Sequence, residues 1–503
     1  MFVHGGRVIR IAVDKKVLLS SLRPKQTFVE VRDGAGIAVF DERGFFDQAY
    51  AREALELYQR HEFGALRQIA SRGAVLVCDE TRGRLFLVAD SAGHSTFYYV
   101  LRQGELFFSS RLQELDEYFC FDLSRRAANE YLACGFISAP LTAFDGVNKL
   151  PPGGYLLFEN GRAKVSVCQK TRISVGNKEP DCYQRELESA FQSCLNRTAD
   201  AQPGLMLSGG YDSSLLGELL LRRFGRVRTW VVDMMGYNAA TVRQAQEMSR
   251  ILGTEHSCIP VSARDYMGYF RKAMALIEEP MLDLDFPVIR QVVLAIGHKA
   301  RHVWHGFGSD EVMGERVVDF KGTLTHFAAQ KGRSAWKGKL SVREIGQAFL
   351  ATKIPQELRA HYRLCEATGN CLVFPFFEPE LIRVAARMPA GLMKNKQLLR
   401  GLSPRLRQLL PVRPREERGQ MPALIKHVLI EGHRESLLAD SFLAEFIKNN
   451  GSTAVFDRKN EDLLLRMIVF LVWKQERDRR LFLRFSDTRD SQTRREEDSV
   501  ARD

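Results

Sequence analysis

The sequence predicts a mixed α/β protein in which an antiparallel β-sandwich precedes a doubly wound parallel α/β domain. Three observations support this. Residues 1–168 contain short apolar runs separated by turn residues, a texture typical of antiparallel strands. From residue 183 onward, strand and helix patterns alternate, which favours a parallel sheet flanked by helices. One of these strands ends in Ser-Gly-Gly and leads at once into a helix, and the 503 residues suffice for two or three domains.

The composition excludes several classes of protein. Hydrophobic residues make up 45% and charged residues 27%, as in ordinary globular proteins. No apolar run reaches the ~20 residues of a membrane span, and the N-terminus lacks a signal-peptide pattern, so we expect a cytoplasmic protein. Nine cysteines occur singly and without Cys-x-x-Cys, which favours reduced thiols. The net charge of +12 favours a solvated basic face near phosphate-binding loops over a nucleic-acid partner, and an acidic peptide substrate is a third interpretation.

The first domain is predicted to be a helix-covered antiparallel sandwich. Its predicted strands are 28–31, 36–40, 74–78, 84–89, 96–101 and 106–109, and its predicted helices are 48–58 and 125–134. A polar segment that contains Pro180 follows, and we place the linker at 170–182. The first domain therefore covers residues 1–169.

The second domain is predicted to cover residues 183–485. Its alternating elements are a helix at 183–197, a strand at 204–207, a helix at 215–224, a strand at 228–233, a helix at 239–252 and a strand at 257–261. In such a doubly wound sheet, ligands bind at the carboxyl ends of the strands. Residues 463–473 are expected to form a buried helix, and the almost wholly polar residues 486–503 a disordered tail.

The loop after the strand at 204–207 has the chemistry of an anion site. Gly209 and Gly210 let the backbone turn sharply and bring its N–H groups close to a ligand. Ser213 and Ser214 begin the next helix, whose N-terminus favours negative charge. The Gly-Lys-Ser/Thr ending of a P-loop is missing. The carboxylate of Asp212 beside such an anion site is expected to bind it through a divalent cation.

A second segment, residues 301–314, has the same arrangement of a strand, a glycine-containing turn and acidic residues. An apolar strand ends in His-Gly-Phe-Gly, and Ser309, Asp310 and Glu311 follow. Asp310 is the second carboxylate that a cation between protein and phosphate requires, and water can complete the shell. The alternative for this segment by itself is a capped helix start.

Together these motifs resemble the asparagine synthetase family. SGGYDSS at 208–214 is similar to the Ser-Gly-Gly-x-Asp-Ser pyrophosphate loop of ATP pyrophosphatases. ILGTEH at 251–256, HGFGSDEVMGE at 305–315, FPFFEPELIRVAARMP at 374–389 and KNKQLLRGLSPRLRQLLP at 394–411 resemble family segments in order and spacing. In the first half, VADSAGHSTFYY at 88–99 and TAFDGVNKLPPGGYLLF at 142–158 resemble the amidotransferase half of that family.

The resemblance implies an N-terminal-nucleophile-type amidotransferase-like sandwich joined to an adenine-nucleotide α-hydrolase-like synthetase domain that contains the pyrophosphate (PP) loop. It implies ATP and Mg²⁺ as cofactors and amide formation through an acyl-adenylate. The implied nucleotide-binding residues are Leu207, Ser208, Gly209, Gly210, Asp212, Ser213, Ser214, Val232, Gly306, Phe307 and Gly308. Asp212 and Asp310 are the implied metal ligands, and Asp212, Asp310 and Arg418 the implied catalytic residues.

Three departures from the family pattern bear on the substrate. Position 2 is Phe2, where glutamine-dependent members have the nucleophilic cysteine, so we expect no glutaminase. Phe307 is the middle residue of Gly-Phe-Gly, where asparagine synthetases have a segment like Gly-Glu-Gly and β-lactam synthetases a segment like Gly-Tyr-Gly. Phenylalanine cannot exchange a proton. The Arg-x-Lys-x-Gly segment lacks its lysine. Arg418 is a candidate for the missing cation, although arginine and lysine are not equivalent, and a basic surface loop is the alternative.

These departures favour the macrolactam cyclases of lasso peptides among family members. The expected substrate is then a precursor peptide whose α-amine attacks an activated Asp or Glu side chain, and a basic cleft would suit this acidic acceptor. A leader-cleaving protease and a leader-binding protein are the implied partners. The alternatives are an ammonia-dependent asparagine synthetase, a β-lactam or other small-carboxylate amide synthetase, and a catalytically inactive scaffold.

Five other polar residues carry open interpretations. Two interpretations are open for Glu278, Glu279 and Asp283: they line a substrate pocket, or they cap a helix. His256 matches the family but is expected to be a packed residue at a strand end, and Glu378 replaces a family aspartate and is expected to be structural.

Overall fold

The computed structural model describes residues 9–11, 27–32, 34–45, 47–70, 73–167, 176–198, 202–235, 237–262, 265–313, 348–366, 368–410, 421–449 and 461–500. These residues form an antiparallel sandwich followed by a parallel α/β domain, which confirms the predicted fold class. No helix in the described ranges is both long and apolar enough to cross a membrane.

The sandwich consists of two antiparallel sheets with strand orders β1-β7-β6-β8 and β10-β9-β5-β4-β3-β2. The strands are β1 (Ile9–Ile11), β2 (Thr27–Arg32), β3 (Ala35–Phe40), β4 (Ala74–Asp79), β5 (Arg84–Val88), β6 (Tyr98–Arg102), β7 (Glu105–Ser109), β8 (Asn148–Lys149), β9 (Gly154–Glu159) and β10 (Arg162–Val167). The six strands predicted from sequence are all present. Strands β1, β8, β9 and β10 are additional, and β10 is a largely exposed edge strand, so it gives little hydrophobic signal.

Helices cover the larger sheet, as the sequence predicts. The helices of this domain are α1 (Gln48–His61), α2 (Phe63–Ala70), α3 (Leu112–Phe119) and α4 (Arg125–Cys134). Leu55 and Leu66 of α1 and α2 pack against Val75 and Val77 on one face of the six-stranded sheet. The alternate residue Leu76 faces the space between the two sheets. Full burial of each such side chain stabilises the fold by roughly 1.5–3 kcal/mol.

The second domain is a parallel sheet with strand order β13-β12-β11-β14-β15. Its strands are β11 (Gly204–Met206), β12 (Arg228–Asp233), β13 (Glu255–Pro260), β14 (His302–Trp304) and β15 (Cys371–Val373). The central strand β11 pairs with β14, since Leu205 lies opposite Trp304. The loops that follow these two strands therefore leave the same edge of the sheet side by side.

Helices surround this sheet and complete its core. They are α5 (Pro180–Arg197), α6 (Tyr211–Phe224), α7 (Ala239–Leu252), α8 (Tyr266–Met274), α9 (Phe286–Ile296), α10 (Ser309–Met313), α11 (Lys353–Cys365), α12 (Pro379–Arg387), α13 (Ala390–Met393), α14 (Gln397–Gly401), α15 (Pro404–Leu409), α16 (Met421–Ala439), α17 (Ser441–Asn449) and α18 (Glu461–Val500). The predicted buried helix at 463–473 lies in α18, where Met467 and Trp473 are almost fully buried.

Two predicted boundaries differ from the structure. Helix α5 begins at Pro180, inside the predicted linker, because proline is favourable in the first turn, where an N–H has no helical partner. Helix α18 continues through Val500, across most of the segment predicted to be a disordered tail. Residues 486–500 contain no proline or glycine, so nothing in their local chemistry ends a helix.

Buried charged groups join the two domains. Arg43 of the sandwich is 1% exposed, and its guanidinium donates to Asp41 and to Glu378 of the second domain, each at 3.1 Å. Arg197 donates to the same Glu378 carboxylate at 2.8 Å. Lys149 donates to Glu279 at 2.5 Å, and both side chains are buried. Because an unpaired buried charge is strongly destabilising, these pairs fix how the domains dock.

His94 lies beside this cluster as a neutral imidazole. Its Nε2 is 3.1 Å from the carbonyl of Phe377, and its Nδ1 is 2.6 Å from the hydroxyl of Tyr362. A neutral ring with its proton on Nε2 satisfies both contacts. Burial, followed by repulsion from Arg43, lowers the pKa of His94 to about 4.

We expect His94 to make the protein less stable as the pH falls. The unfolded chain binds a proton near the ordinary histidine pKa of about 6.5, whereas the folded chain resists protonation until about pH 4. Stability from this group is therefore complete above pH 6.5 and is lost as the pH falls toward 4. Urea unfolding at pH 7.5 and pH 5 should show that His94→Gln reduces the difference between the two free energies by about 2 kcal/mol. The exposed His298→Gln is the control, and equal pH dependence in both variants would contradict this account.

Candidate active site

The loop between β11 and α6 is shaped by its two serines. The backbone N–H of Ser208 donates to the hydroxyl of Ser213 at 3.2 Å, and the two hydroxyl oxygens lie 3.0 Å apart. Ser213 also donates to the Gly210 carbonyl at 3.2 Å. These contacts hold the loop against the first turn of α6, which begins at Tyr211. The helix N-terminus and its dipole can therefore stabilise a phosphate placed on the loop.

Three glycines let the two loops approach each other and their neighbours. Gly209 has φ +76°, and a β-carbon there would lie 2.5 Å from a backbone atom of Gln244. Gly308 has φ +101°, and a β-carbon would lie 2.6 Å from the ring of Phe377. At Gly306 the β-carbon would lie 3.4 Å from the backbone nitrogen of Ser213. Only residues without a side chain therefore allow this packing at Gly209 and Gly308.

Lys396 brings the two candidate metal ligands together. Its Nζ donates to Asp212 Oδ2 at 2.8 Å and lies 2.5 Å from Asp310 Oδ1. Burial alone lowers the pKa of Lys396, but attraction to the two carboxylates outweighs burial and raises the pKa above the ordinary lysine value. The lysine is 8% exposed and remains charged in this arrangement.

The sequence prediction of the site missed Lys396, although a signal was present. The residue lies in the segment 394–411, which resembles the family pattern Lys-x-Leu-Leu-Arg, and its own lysine begins that pattern. Asn395 and Lys396 have successive left-handed backbones, with φ +54° and +51°. This kink interrupts the helical run just before α14, and nothing in local helix propensity predicts it.

Asp212 and Asp310 have donor chemistry that fits a divalent cation. Asp212 Oδ1 is buried and has no hydrogen-bond partner among the described residues, while Oδ2 contacts only the cation of Lys396. Mg²⁺ prefers carboxylate oxygens and usually keeps phosphate or water as its other ligands. Within the described ranges, no group of three or more His, Cys, Asp or Glu side chains forms a metal centre. Any metal here would consequently depend on ligands from the substrate or solvent.

The two loops open onto a cavity of about 610 Å³. Among the predicted site residues, its lining includes Leu207, Ser208, Gly210, Asp212, Ser213, Val232, Gly306, Phe307, Gly308 and Asp310. Val232 lies at the end of β12, where the wall is otherwise formed by apolar residues such as Val231 and Ile289. This part of the cavity can hold a flat apolar ring next to the phosphate loop.

Phe307 lies among aromatic rings on the cavity wall. Its ring stacks on His361 with centroids 5.5 Å apart and meets the edge of Phe377 at 5.0 Å. Its backbone N–H donates to Nδ1 of His305 at 3.0 Å. Burial, followed by repulsion from His361, lowers the pKa of His305 to about 3, so His305 is neutral at physiological pH. The wall at Phe307 is therefore apolar and uncharged.

Within the described residues, the cavity lining is acidic. It includes two lysines, Lys353 and Lys426, and seven carboxylates: Asp212, Asp283, Asp285, Asp310, Glu311, Glu357 and Asp462. The basic runs at 331–339 and 413–418 lie outside the described residues, so the basic cleft stays a prediction.

Several candidate residues lie outside the cavity lining. Ser214 is fully buried and its hydroxyl donates to the carbonyl of Gly210 at 2.8 Å, so it supports the loop. Gly209 acts through its backbone shape alone. Arg418 and Phe2 lie outside the described residues.

Of the residues with open interpretations, Asp283 lines the cavity and the others bind protein groups. Glu278 accepts from the hydroxyl of Tyr98 at 3.2 Å, and Glu279 pairs with Lys149, so both belong to the domain interface. His256 lies 2.8 Å from the hydroxyl of Thr229 and is a packed residue of β13, as expected. Glu378 is the buried partner of Arg43, which gives it the structural role that the sequence suggests.

Comparisons with known proteins agree with this architecture. The asparagine synthase family matches residues 183–316, and the glutamine amidotransferase domain family matches residues 53–169. The chain is 23% identical over 343 residues to asparagine synthetase [glutamine-hydrolyzing] 1 of Bacillus subtilis (strain 168), covering 61% of the chain and 53% of that protein. It is also 23% identical over 341 residues to the putative asparagine synthetase [glutamine-hydrolyzing] 2 of Methanocaldococcus jannaschii, covering 64% and 63%. The chain thus spans between half and two thirds of these relatives.

A solved structure of NMN synthetase from Francisella tularensis matches 36% of the chain and 94% of that protein at 16% identity. Its TM-score of 0.22 is too low to establish a shared fold.

The sandwich and the site together define the class of protein: an amidotransferase-type domain docked onto an α/β domain of the nucleotide-binding type, which has a glycine-rich anion loop. More specifically, the second domain is similar to the asparagine synthase family and the first domain to the glutamine amidotransferase domain family.

We expect Lys396→Met to make the protein dependent on Mg²⁺ for stability. Without the lysine, the carboxylates of Asp212 and Asp310 repel each other, which should lower the free energy of unfolding in EDTA by about 2 kcal/mol. The loss is smaller than for a fully buried pair because both carboxylates are partly exposed. Excess Mg²⁺ should restore more stability to this variant than to the wild type, in which the ion must displace Lys396. Urea unfolding with EDTA or Mg²⁺ measures both, with exposed Lys272→Met as the control. An equal response to Mg²⁺ in all three proteins would show that the ion does not bind at these carboxylates.

Proposed function

We propose that the protein is an ATP-dependent amide ligase that adenylates a substrate carboxylate, releases pyrophosphate, and lets an amine displace AMP. The observation that carries this proposal is the meeting of Asp212 and Asp310 on adjacent glycine loops at the wall of one cavity. The similarity of residues 183–316 to the asparagine synthase family supports the same chemistry.

Different residues of the two loops would bind different parts of ATP in the first half-reaction, the adenylation. The Ser208–Ser213 loop and the start of α6 would bind the β- and γ-phosphates of ATP, and the apolar wall at Val232 would bind the adenine ring. Once Mg²⁺ displaces it from Asp212 and Asp310, Lys396 would pair with the negative charge of the departing pyrophosphate. Mg²⁺ held by the two carboxylates would neutralise phosphate charge and so favour departure of pyrophosphate.

The finer proposal concerns the amine. Phe307 gives the cavity wall an apolar ring that cannot exchange a proton with an external amine, and its neighbour His305 is held neutral. An amine carried on the substrate needs less help, since closing a ring replaces a bimolecular collision with an intramolecular one. We therefore favour macrolactam closure of a lasso-type precursor peptide, with a leader-cleaving protease and a leader-binding protein as partners.

Two other functions remain as alternatives. Synthesis of asparagine from ammonia, or of a β-lactam or other small amide, uses the same adenylation step with a different amine. An inactive scaffold is the alternative from another class, and the intact loop and carboxylate pair argue against it.

Pyrophosphate release from ATP·Mg²⁺, combined with mass spectrometry of the products, tests these proposals. Aspartate with ammonia or glutamine would be compared with a free-amine core peptide encoded beside the gene. Peptide-dependent pyrophosphate and a product lighter by one water are the expected results. Turnover of aspartate would instead establish asparagine synthesis, and ATP binding without pyrophosphate release in any mixture would favour the scaffold.

Asp212→Asn should reduce pyrophosphate release at least ~100-fold, because an amide binds a cation beside phosphate far more weakly than a carboxylate does. The exposed Asp265→Asn is the matched control and should retain full activity. Substantial turnover by Asp212→Asn would remove this carboxylate from the mechanism.

A further inference from the structure

The second glycine loop, residues 305–310, packs on a side chain that belongs to neither loop. Phe377 is fully buried, and its ring meets the ring of Phe307 with the centroids 5.0 Å apart. A β-carbon at Gly308 would lie 2.6 Å from the ring of Phe377, so the loop backbone packs directly against that ring. Asp310 follows in the first turn of α10. The position of this candidate metal ligand therefore depends on Phe377.

The backbone carbonyl of Phe377 is bound by His94 of the sandwich. In the tautomer with its proton on Nε2, His94 donates to this carbonyl at 3.1 Å, and its Nδ1 accepts from the hydroxyl of Tyr362 at 2.6 Å. Tyr362 lies on α11 next to His361, whose ring lines the cavity and stacks on Phe307. One imidazole therefore holds two supports of the cavity wall, which are the backbone at residue 377 and helix α11.

The turn that carries His94 is itself fixed by hydrogen bonds and by close packing. Asp90 Oδ1 accepts the backbone N–H of Ala92 at 2.8 Å and that of His94 at 3.1 Å. Gly93 has φ +86°, and a β-carbon there would lie 2.6 Å from Pro355 of α11, so the turn packs directly against the second domain. His94 is 1% exposed. A buried side chain on a fixed turn can hold its partners within the narrow geometry that a reactive site requires.

We propose that His94 is a positioning residue of the active site, which acts through Phe377 to keep Asp310 beside Asp212, where the two carboxylates can hold a cation. This inference rests on the proposed ligase function and assigns part of its machinery to the sandwich. Without the Nε2–H donor, the buried carbonyl of Phe377 loses a hydrogen-bond partner, and such a group is costly to leave unpaired. We expect residue 377 to shift, and the second glycine loop to shift with it.

A small shift of this loop is sufficient to slow adenylation. Lys396 Nζ lies 2.8 Å from Asp212 and 2.5 Å from Asp310, so the two carboxylates are within reach of one small cation. Mg²⁺ demands nearly ideal octahedral geometry, with ligands at about 2.0–2.1 Å. A misplacement of about 1 Å near the reacting groups can lower a rate about 100-fold. Loss of the support from His94 is therefore expected to lower the rate without unfolding the domain.

The test compares His94→Leu with His94→Gln in the full-length protein. Leucine removes both hydrogen bonds of the imidazole, whereas the glutamine amide can reach the position of Nε2 and keep a donor for the Phe377 carbonyl. Tyr58→Phe is the matched control, because it removes a buried hydroxyl that donates to Asp79 on the helix-covered face of the sandwich. Each protein is measured by ATP–pyrophosphate exchange with the acid that supports it, by equilibrium dialysis of ATP in EDTA and in Mg²⁺, and by urea unfolding.

His94→Leu should lower kcat for exchange at least ~10-fold and lose most of the gain in ATP affinity that Mg²⁺ gives the wild type. Its Kd for ATP in EDTA should stay within about threefold of the wild type, because the loop from Ser208 to Ser213 and the start of α6 bind phosphate without Asp310. His94→Gln should recover exchange to within about threefold of the wild type. Tyr58→Phe should retain exchange and the gain from Mg²⁺ in full.

Unchanged exchange in His94→Leu would overturn the positioning role. So would an equal loss of exchange in Tyr58→Phe, or an equal weakening of ATP binding with and without Mg²⁺, because either result would show a general loss of structure. Absence of exchange with every acid in the wild type would overturn the ligase function, and ATP binding alone would then decide the positioning role. That role falls if His94→Leu keeps the full gain from Mg²⁺, or if Mg²⁺ gives the wild type no gain.

Discussion

Parallel pairing of β11 with β14 is the constraint on which the candidate site depends. The two strands are far apart in the chain, yet Leu205 lies opposite Trp304 at the centre of the sheet. Since parallel neighbours end at the same edge, the loops that follow them must lie side by side. Glycines at 209, 306 and 308 then remove the side chains that would keep these loops apart. Asp212 and Asp310 reach the same lysine because of this pairing, and neither loop could create the site alone.

Local patterns were sufficient to predict much of the fold. The helix at 239–252 has the predicted bounds, and the strand at 228–233 does as well, because both carry a clear hydrophobic period between strong breakers. Strand β10 was not predicted, since an exposed edge strand has little apolar pattern, whereas β9 was missed although its residues alternate between buried and half-buried. The helical extension of α18 was not predicted either, because polarity was interpreted as disorder although no helix breaker is present.

The candidate site could be predicted as far as its chemistry was local. Ser208, Asp212 and Asp310 are visible in short motifs, and the structure places all three on one cavity. Lys396 depends on a backbone kink with two left-handed residues, and the role of His94 depends on how the sandwich packs against α11. Both are tertiary relations that no window of sequence contains. The basic cleft stays a prediction, because the basic runs at 331–339 and 413–418 lie outside the described residues.

The buried pairs between the domains have a consequence for the history of the chain. Glu278, Glu279 and Glu378 of the second domain are neutralised by Arg111, Lys149 and Arg43 of the sandwich. Without the sandwich, the second domain would expose these three carboxylates to solvent or leave them buried without counter-ions, which is strongly destabilising. Selection can therefore retain the sandwich as an electrostatic partner of the synthetase half, whatever small molecule it does or does not hydrolyse. Its persistence alone is then no sign of glutaminase activity.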